Sequence, residues 1–114
     1  MNNSARIVVA AALALVAFSP SLSAAQQQQP SQASQQYTAA MDRMQSDMKK
    51  GMEADPTKTW VKMAIPHHQG LIDMSEIVLR NTKDPKIRKM AQKSIAMQKK
   101  DIKELESWLA KHGG

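Results

Sequence analysis

The chain has 114 residues, of which 42% are hydrophobic and only 4% aromatic, with a formal net charge of +6 and no cysteine. A chain of this length holds one domain at most. Without cysteine, disulfides and thiolate metal centres are excluded, so any soft metal site must use thioether or imidazole.

Residues 1–25 read as a secretory signal peptide. Arg6 precedes the apolar run "IVVAAALALVAF" (residues 7–18), Pro20 breaks it, and Ser23 and Ala25 offer small residues for cleavage near Ala25. The run is short of the roughly 20 residues that span a bilayer. An uncleaved anchor is the competing reading, and the lack of cysteine leaves nothing to acylate. Cleavage predicts a periplasmic or secreted protein with no transmembrane segment. Removing 25 residues leaves 89, with 15 basic against 10 acidic side chains. In an exported chain this balance points to lysines on solvated helix faces and not to nucleic acid.

Residues 26–36, "QQQQPSQASQQ", lack large apolar groups and read as a disordered Gln-rich tether. Residues 37–112 carry helical periodicity throughout. A first helix is expected over residues 38–53. Asp55-Pro56, with Thr57 as a second candidate cap, opens a second that runs to about residue 81. Asp84-Pro85 repeats the start signal for a third, which ends at "KHGG". Short connections make neighbours antiparallel, giving an all-α, up-down-up three-helix bundle. Its core is thin, so a second copy (a homodimer) or a bound metal is expected to add stability.

The first helix carries Met41, Met44, Met48 and Met52, which fall with Tyr37 within roughly 80° of arc at ~100° per residue. Stripes at this spacing are usually core. This helix, however, has no Leu, Ile, Val or Phe, so its whole large apolar face is thioether. Thioether is flexible and polarizable, and it is a soft ligand that selects Cu(I). Ligand reservoir, plain packing and an adaptable peptide-binding surface all remain open.

On the second helix, Met63, His67 and Met74 lie within roughly 40° of one another, and Gly70 falls on nearly the same line. Gly70 leaves room either for an ion or for close approach of the first helix. Trp60, Ala64, Leu71 and Val78 form an adjacent apolar seam that is expected to be core. His68 projects about 100° from His67, so the two imidazoles need help to meet at one ion. Pro66 is a candidate source of that help, because it frees the Lys62 carbonyl and can kink the helix. A histidine beside an apolar face is more often a boundary residue than a ligand. Here methionines one turn before and two turns after His67 bring soft donors together. The combination suits Cu(I) or Ag(I), with Cu(II) reachable through imidazole, and suits zinc poorly.

The third helix is expected to bury Ile87, Met90, Ala91, Ile95, Ile102, Leu105 and Leu109, with Trp108 at the edge. Gln98 within this stripe either fixes register through an internal bond or orients a histidine. Met97 at its edge is a ligand or packing. Asp73 reads as solvated, and His112 as favourable charge at a helix end. No Glu-x-x-His pair, nucleophile elbow, phosphate loop or zinc-protease motif occurs, so no enzyme is expected.

The run "MAIPHHQGLIDM", a "DP" before the third helix, "AMQKKDIKELESWL" within it and the Met-rich first helix together resemble the DUF305 family, a domain of unknown function. Exported copper-binding proteins of the CopM kind belong to that family. The resemblance implies a ferritin-like bundle without di-iron machinery and copper or silver binding through His67, His68 and Met74. Met63 and the first-helix methionines are their implied partners. Members often read "MMIPHHQ"; here Ala64 replaces the second methionine, so one thioether is missing. The function expected is copper(I) sequestration or transfer, with copper donor or acceptor proteins as partners. The alternative is a metal-independent helical envelope module, such as a chaperone holding clients on its methionine face. A copper-dependent redox enzyme would need an open Cu(II) position.

Overall fold

The computed structural model describes residues 30–114, which form three α-helices and no strand: α1 (Gln32–Lys50), α2 (Pro56–Asn81) and α3 (Pro85–Lys111). The all-α, three-helix architecture expected from periodicity is the one found. The signal peptide expected over residues 1–25 and the first part of the expected tether lie outside the described residues.

Both Asp-Pro pairs start helices as their chemistry dictates. The Asp55 carboxylate accepts from the Thr57 and Lys58 amides, at 2.8 and 3.3 Å. That of Asp84 accepts from Lys86 and Ile87, at 2.8 and 3.2 Å. In each case proline occupies the first turn, where an amide proton would have had no partner. Thr57 is therefore not the cap. Thr59 instead closes the preceding turn, its hydroxyl accepting from the Glu53 amide and donating to the Glu53 carbonyl, both at 3.0 Å. α1 starts six residues earlier than Thr38, so residues 32–36 are helix and not tether. Ser31 causes this: its hydroxyl accepts from the Ser34 amide at 3.1 Å and caps the helix.

α2 is the middle element. It packs against α1 on one side and α3 on the other, while α1 and α3 nowhere approach each other within 8 Å at Cα. The helices thus form an open bundle in which α2 is central and α1 and α3 flank it, a single layer with two open faces. The core is correspondingly small, with Ala40, Val61, Ile72, Ile77 and Ala91 as its buried hydrophobic residues. Two expectations fail for the same reason. Trp60 is 65% exposed, and Ala64, Leu71 and Val78 are only half-buried, because that seam of α2 faces neither neighbour. On α3, Ile87 and Met90 are exposed and only Ala91 of the expected stripe is fully buried.

Two glycines set the approach of α1 to α2. A Cβ at Gly51 would lie 2.9 Å from the Lys62 carbonyl carbon and 3.0 Å from its oxygen. This is the carbonyl that Pro66 deprives of its helical partner, and α1 ends against it. A Cβ at Gly70 would collide with the Met44 sulfur and lie 3.0 Å from the Met44 Cβ. Gly70 therefore serves close helix approach, with Met44 filling the space that an ion would have used. α2 remains one continuous helix through Pro66.

Candidate metal-binding groove

Residues 60, 63, 64, 67 and 68 follow one another at helical spacing along a single side of α2. The antiparallel α1 lays Met48 beside them. Met48, Trp60, Met63, Ala64, His67 and His68 together line a groove of about 260 Å³. Two thioethers and two imidazoles thus share one cleft. His67 is exposed, at the rim, and His68 is half-buried.

The two imidazole rings lie with centroids 6.1 Å apart and planes at 63°. His68 turns toward α3, where its Nε2 lies 3.5 Å from the Asp101 carboxylate. Its Nδ1 is buried without a hydrogen-bond partner, as is the Gln98 side-chain oxygen. An unpaired buried acceptor costs about 1–3 kcal/mol. Gln98 Oε1 therefore makes neither the register bond nor a bond that orients a histidine. A second groove, of about 440 Å³, continues from the first through the shared Trp60 and His68 to Asp101, Glu104 and Trp108.

A third groove, about 520 Å³, opens on the opposite face of the layer and has a different chemistry. It is lined by Arg43, Asp47, Lys50, Lys62, Asp73 and Glu106, with Met44 as its one thioether. Asp73 accepts from Gln69 at 3.0 Å and lies 3.6 Å from Arg43, so it is partnered and not merely solvated. Lys62 pairs with Glu53 at 2.6 Å. Charges that neutralise one another and a single sulfur offer little to a soft cation.

The residues expected to bind metal therefore divide. Met48, Met63, His67 and His68 come together. Met44 is committed to Gly70. Met74 is half-buried, two turns beyond His67, and is not part of the lining of this groove. Met41 and Met52 are exposed around α1, and Met97 is exposed on α3 across the layer. Among the described residues no three His, Asp or Glu side chains cluster as a metal site, so a site here must rest on sulfur. Sequence reasoning missed Trp60 and Asp101. Trp60 precedes His67 by seven residues, two helical turns, which places both on one line. Asp101 meets His68 only through antiparallel pairing of α2 with α3. His112 binds the Trp108 carbonyl at 2.7 Å and stacks on its indole, 4.1 Å between centroids, so it finishes α3 by contact as well as by charge.

No helix among the described residues is long and apolar enough to cross a membrane. Over 52 residues the chain is 38% identical to "Uncharacterized protein L153" of Acanthamoeba polyphaga mimivirus, a match covering 46% of this chain and 34% of that protein. The chain thus spans about a third of the length of the curated relative it matches. The model of the domain of unknown function DUF305 matches residues 57–114, which hold both histidines of the groove and all of α3. On that match, the chain belongs to the DUF305 family.

Proposed function

We propose that this chain binds a soft monovalent metal ion, Cu(I) with Ag(I) as its mimic, and sequesters or hands it on as an exported protein. The observation that carries this reading is the shared groove of Met48, Met63 and His67 with His68 beside them. Thioether and neutral imidazole are donors that favour Cu(I), and neither brings a negative charge that would recruit hard divalent ions. His67, at the rim, gives an ion a way in from solvent. His68 Nε2 lies 3.5 Å from the Asp101 carboxylate, and its Nδ1 has no hydrogen-bond partner, which leaves that nitrogen uncommitted. An open, two-sulfur groove suits exchange with donor and acceptor proteins more than permanent storage.

The test is titration of the purified protein with Cu(I) against a chromogenic chelator. Stoichiometric binding that weakens in Met63→Ala and His67→Ala, and not in Met41→Ala, supports the reading; no competition with the chelator defeats it. A second reading is favoured by the exposed methionines of the same face. They would serve a metal-independent interaction module that holds apolar client segments in the envelope. Chelator titration separates the two, because that module requires no ion.

A further inference from the structure

We infer that two copies of this chain pair through the open methionine face, each covering the central helix of the other. The first observation is where the exposed apolar residues lie. Met41, Met52, Trp60, Ile87, Met90 and Met97 are the exposed large hydrophobics, from 38% for Ile87 to 67% for Met52. At ~100° per residue, Met41 falls within ~20° of Met48, and Met90 and Met97 within ~20° of Trp108. Met48, Trp60 and Trp108 all line the grooves on one side of the layer. Ile87 flanks the same side, and Met52 follows from the end of α1. Leu71, Val78 and Met74 run along α2 between them, half-buried.

The second observation is the contrast with the other side, whose grooves are lined by Arg43, Asp47, Lys50, Lys62, Asp73 and Arg80 among others. The ion pairs Arg43–Asp73, Lys50–Asp47 and Lys62–Glu53 lie on that side, and the exposed methionines and Trp60 on this one. Stable domains bury apolar stripes between at least two layers, and this chain supplies one. No large side chain is completely buried within it.

The occupant follows from what is missing. The shortfall lies in the fold itself, so the cover must be present whenever the chain is folded. A second copy is the partner that always meets this condition. The exposed portions of the six residues amount to on the order of 600 Å² per copy, close to the ~800 Å² per partner of a standard interface. The sequence of α2 is also self-complementary about its own middle. A two-fold axis level with Gln69, near the middle of Pro56–Asn81, sets Trp60 against Val78, Ala64 against Met74 and His67 against Leu71. Trp60 then meets the smaller Val78 and Ala64 the larger Met74, each pair occurring twice by the reciprocity of an isologous interface. Such pairing would also border the Met48–His67 groove, but it stands without the copper reading and is read out on metal-free protein.

The experiment is sedimentation equilibrium and thermal melting of the metal-free protein from low to high micromolar concentration. Twice the chain mass and a melting temperature that rises with concentration are expected. The double variant Met90→Lys/Met97→Lys, distant from the groove ligands, should weaken association at least about a hundredfold. Glu76→Lys, on the opposite face, should leave it intact. A monomeric mass with a concentration-independent melting temperature overturns the pairing. So does a dimer that the lysine pair leaves undiminished, or a monomer that binds anionic vesicles through this face. Because the concentration dependence is read on the natural sequence, a misfolded variant cannot decide the outcome.

Discussion

The two open faces of α2 come from the same 26 residues and the same two neighbours, yet they differ in nearly every respect. One carries Lys62, paired with Glu53 in the turn after α1, and Asp73, which accepts from Gln69 and faces Arg43 of α1. The other carries Trp60, Met63, Ala64, His67 and Leu71, with exposed methionines on both flanks. Charge on the first face is balanced and hydrated, so that face needs nothing further. Sulfur, imidazole and indole on the second have few partners within the chain. Function is therefore expected on the side where the fold leaves chemistry unspent, and substitutions on the two faces should separate cleanly.

The largest effect is expected at the seam that holds the faces apart. Gly51→Ala forces a methyl group against the Lys62 carbonyl, which as backbone cannot swing away. A loss of about 1–3 kcal/mol is expected, read as a melting temperature lower by several degrees. Cu(I) stoichiometry should be kept at temperatures where the variant is folded. An unchanged melting temperature would mean that α1 sits farther from α2 than described.

Next in size are the groove ligands. Met63→Ala and His67→Ala should each weaken Cu(I) binding by at least about tenfold, equivalent to about 1.4 kcal/mol. Met44→Ala should lower stability and leave affinity within a few-fold, because its sulfur packs on Gly70. If Met44 and Met63 proved equivalent in chelator competition, the separation of packing methionine from ligand methionine would be wrong.

Acid gives a smaller, graded effect. Protons compete with metal for imidazole and not for thioether, so affinity should fall as pH drops from about 7 to about 5. The sign follows from the free protein taking up the proton that the metal must displace. His67→Met should flatten this dependence while keeping a soft donor in place. A profile that is flat in the natural sequence would remove imidazole from the site.

How far the sequence discloses this layout depends on whether a feature is local. The Asp-Pro starts, the three helices and the alignment of Met63 with His67 all rest on contacts within a few residues, and each could be read directly. Ser31 is of a capping residue type, but the glutamines around it lack any apolar periodicity to mark a helix, so the start of α1 is not legible. The burial of Trp60 and Ile87 was misjudged because periodicity shows which side of a helix is apolar, not whether anything covers it. The separation of Met44 from Met48 depends on Gly70, one turn beyond Pro66, receiving a side chain from another helix. The Asp101–His68 contact depends on the register of α3, which no local pattern encodes. Met48 adds a further lesson: it lies outside the family match of residues 57–114, so the groove is completed by a helix that the match does not cover.

The smallest effect belongs to the charged face and is the control for the rest. Arg43 and Asp73 lie 3.6 Å apart, with side chains 64% and 27% exposed, so solvent screens most of their attraction. Arg43→Ala should change stability by less than about 1 kcal/mol and leave Cu(I) affinity unaltered, by melting and by chelator competition respectively. Asp73→Asn keeps the hydrogen bond from Gln69 within reach and should have a still smaller effect. A clear loss of metal affinity in either variant would place the ion on the wrong side of α2, in the groove where Met44 is the only sulfur.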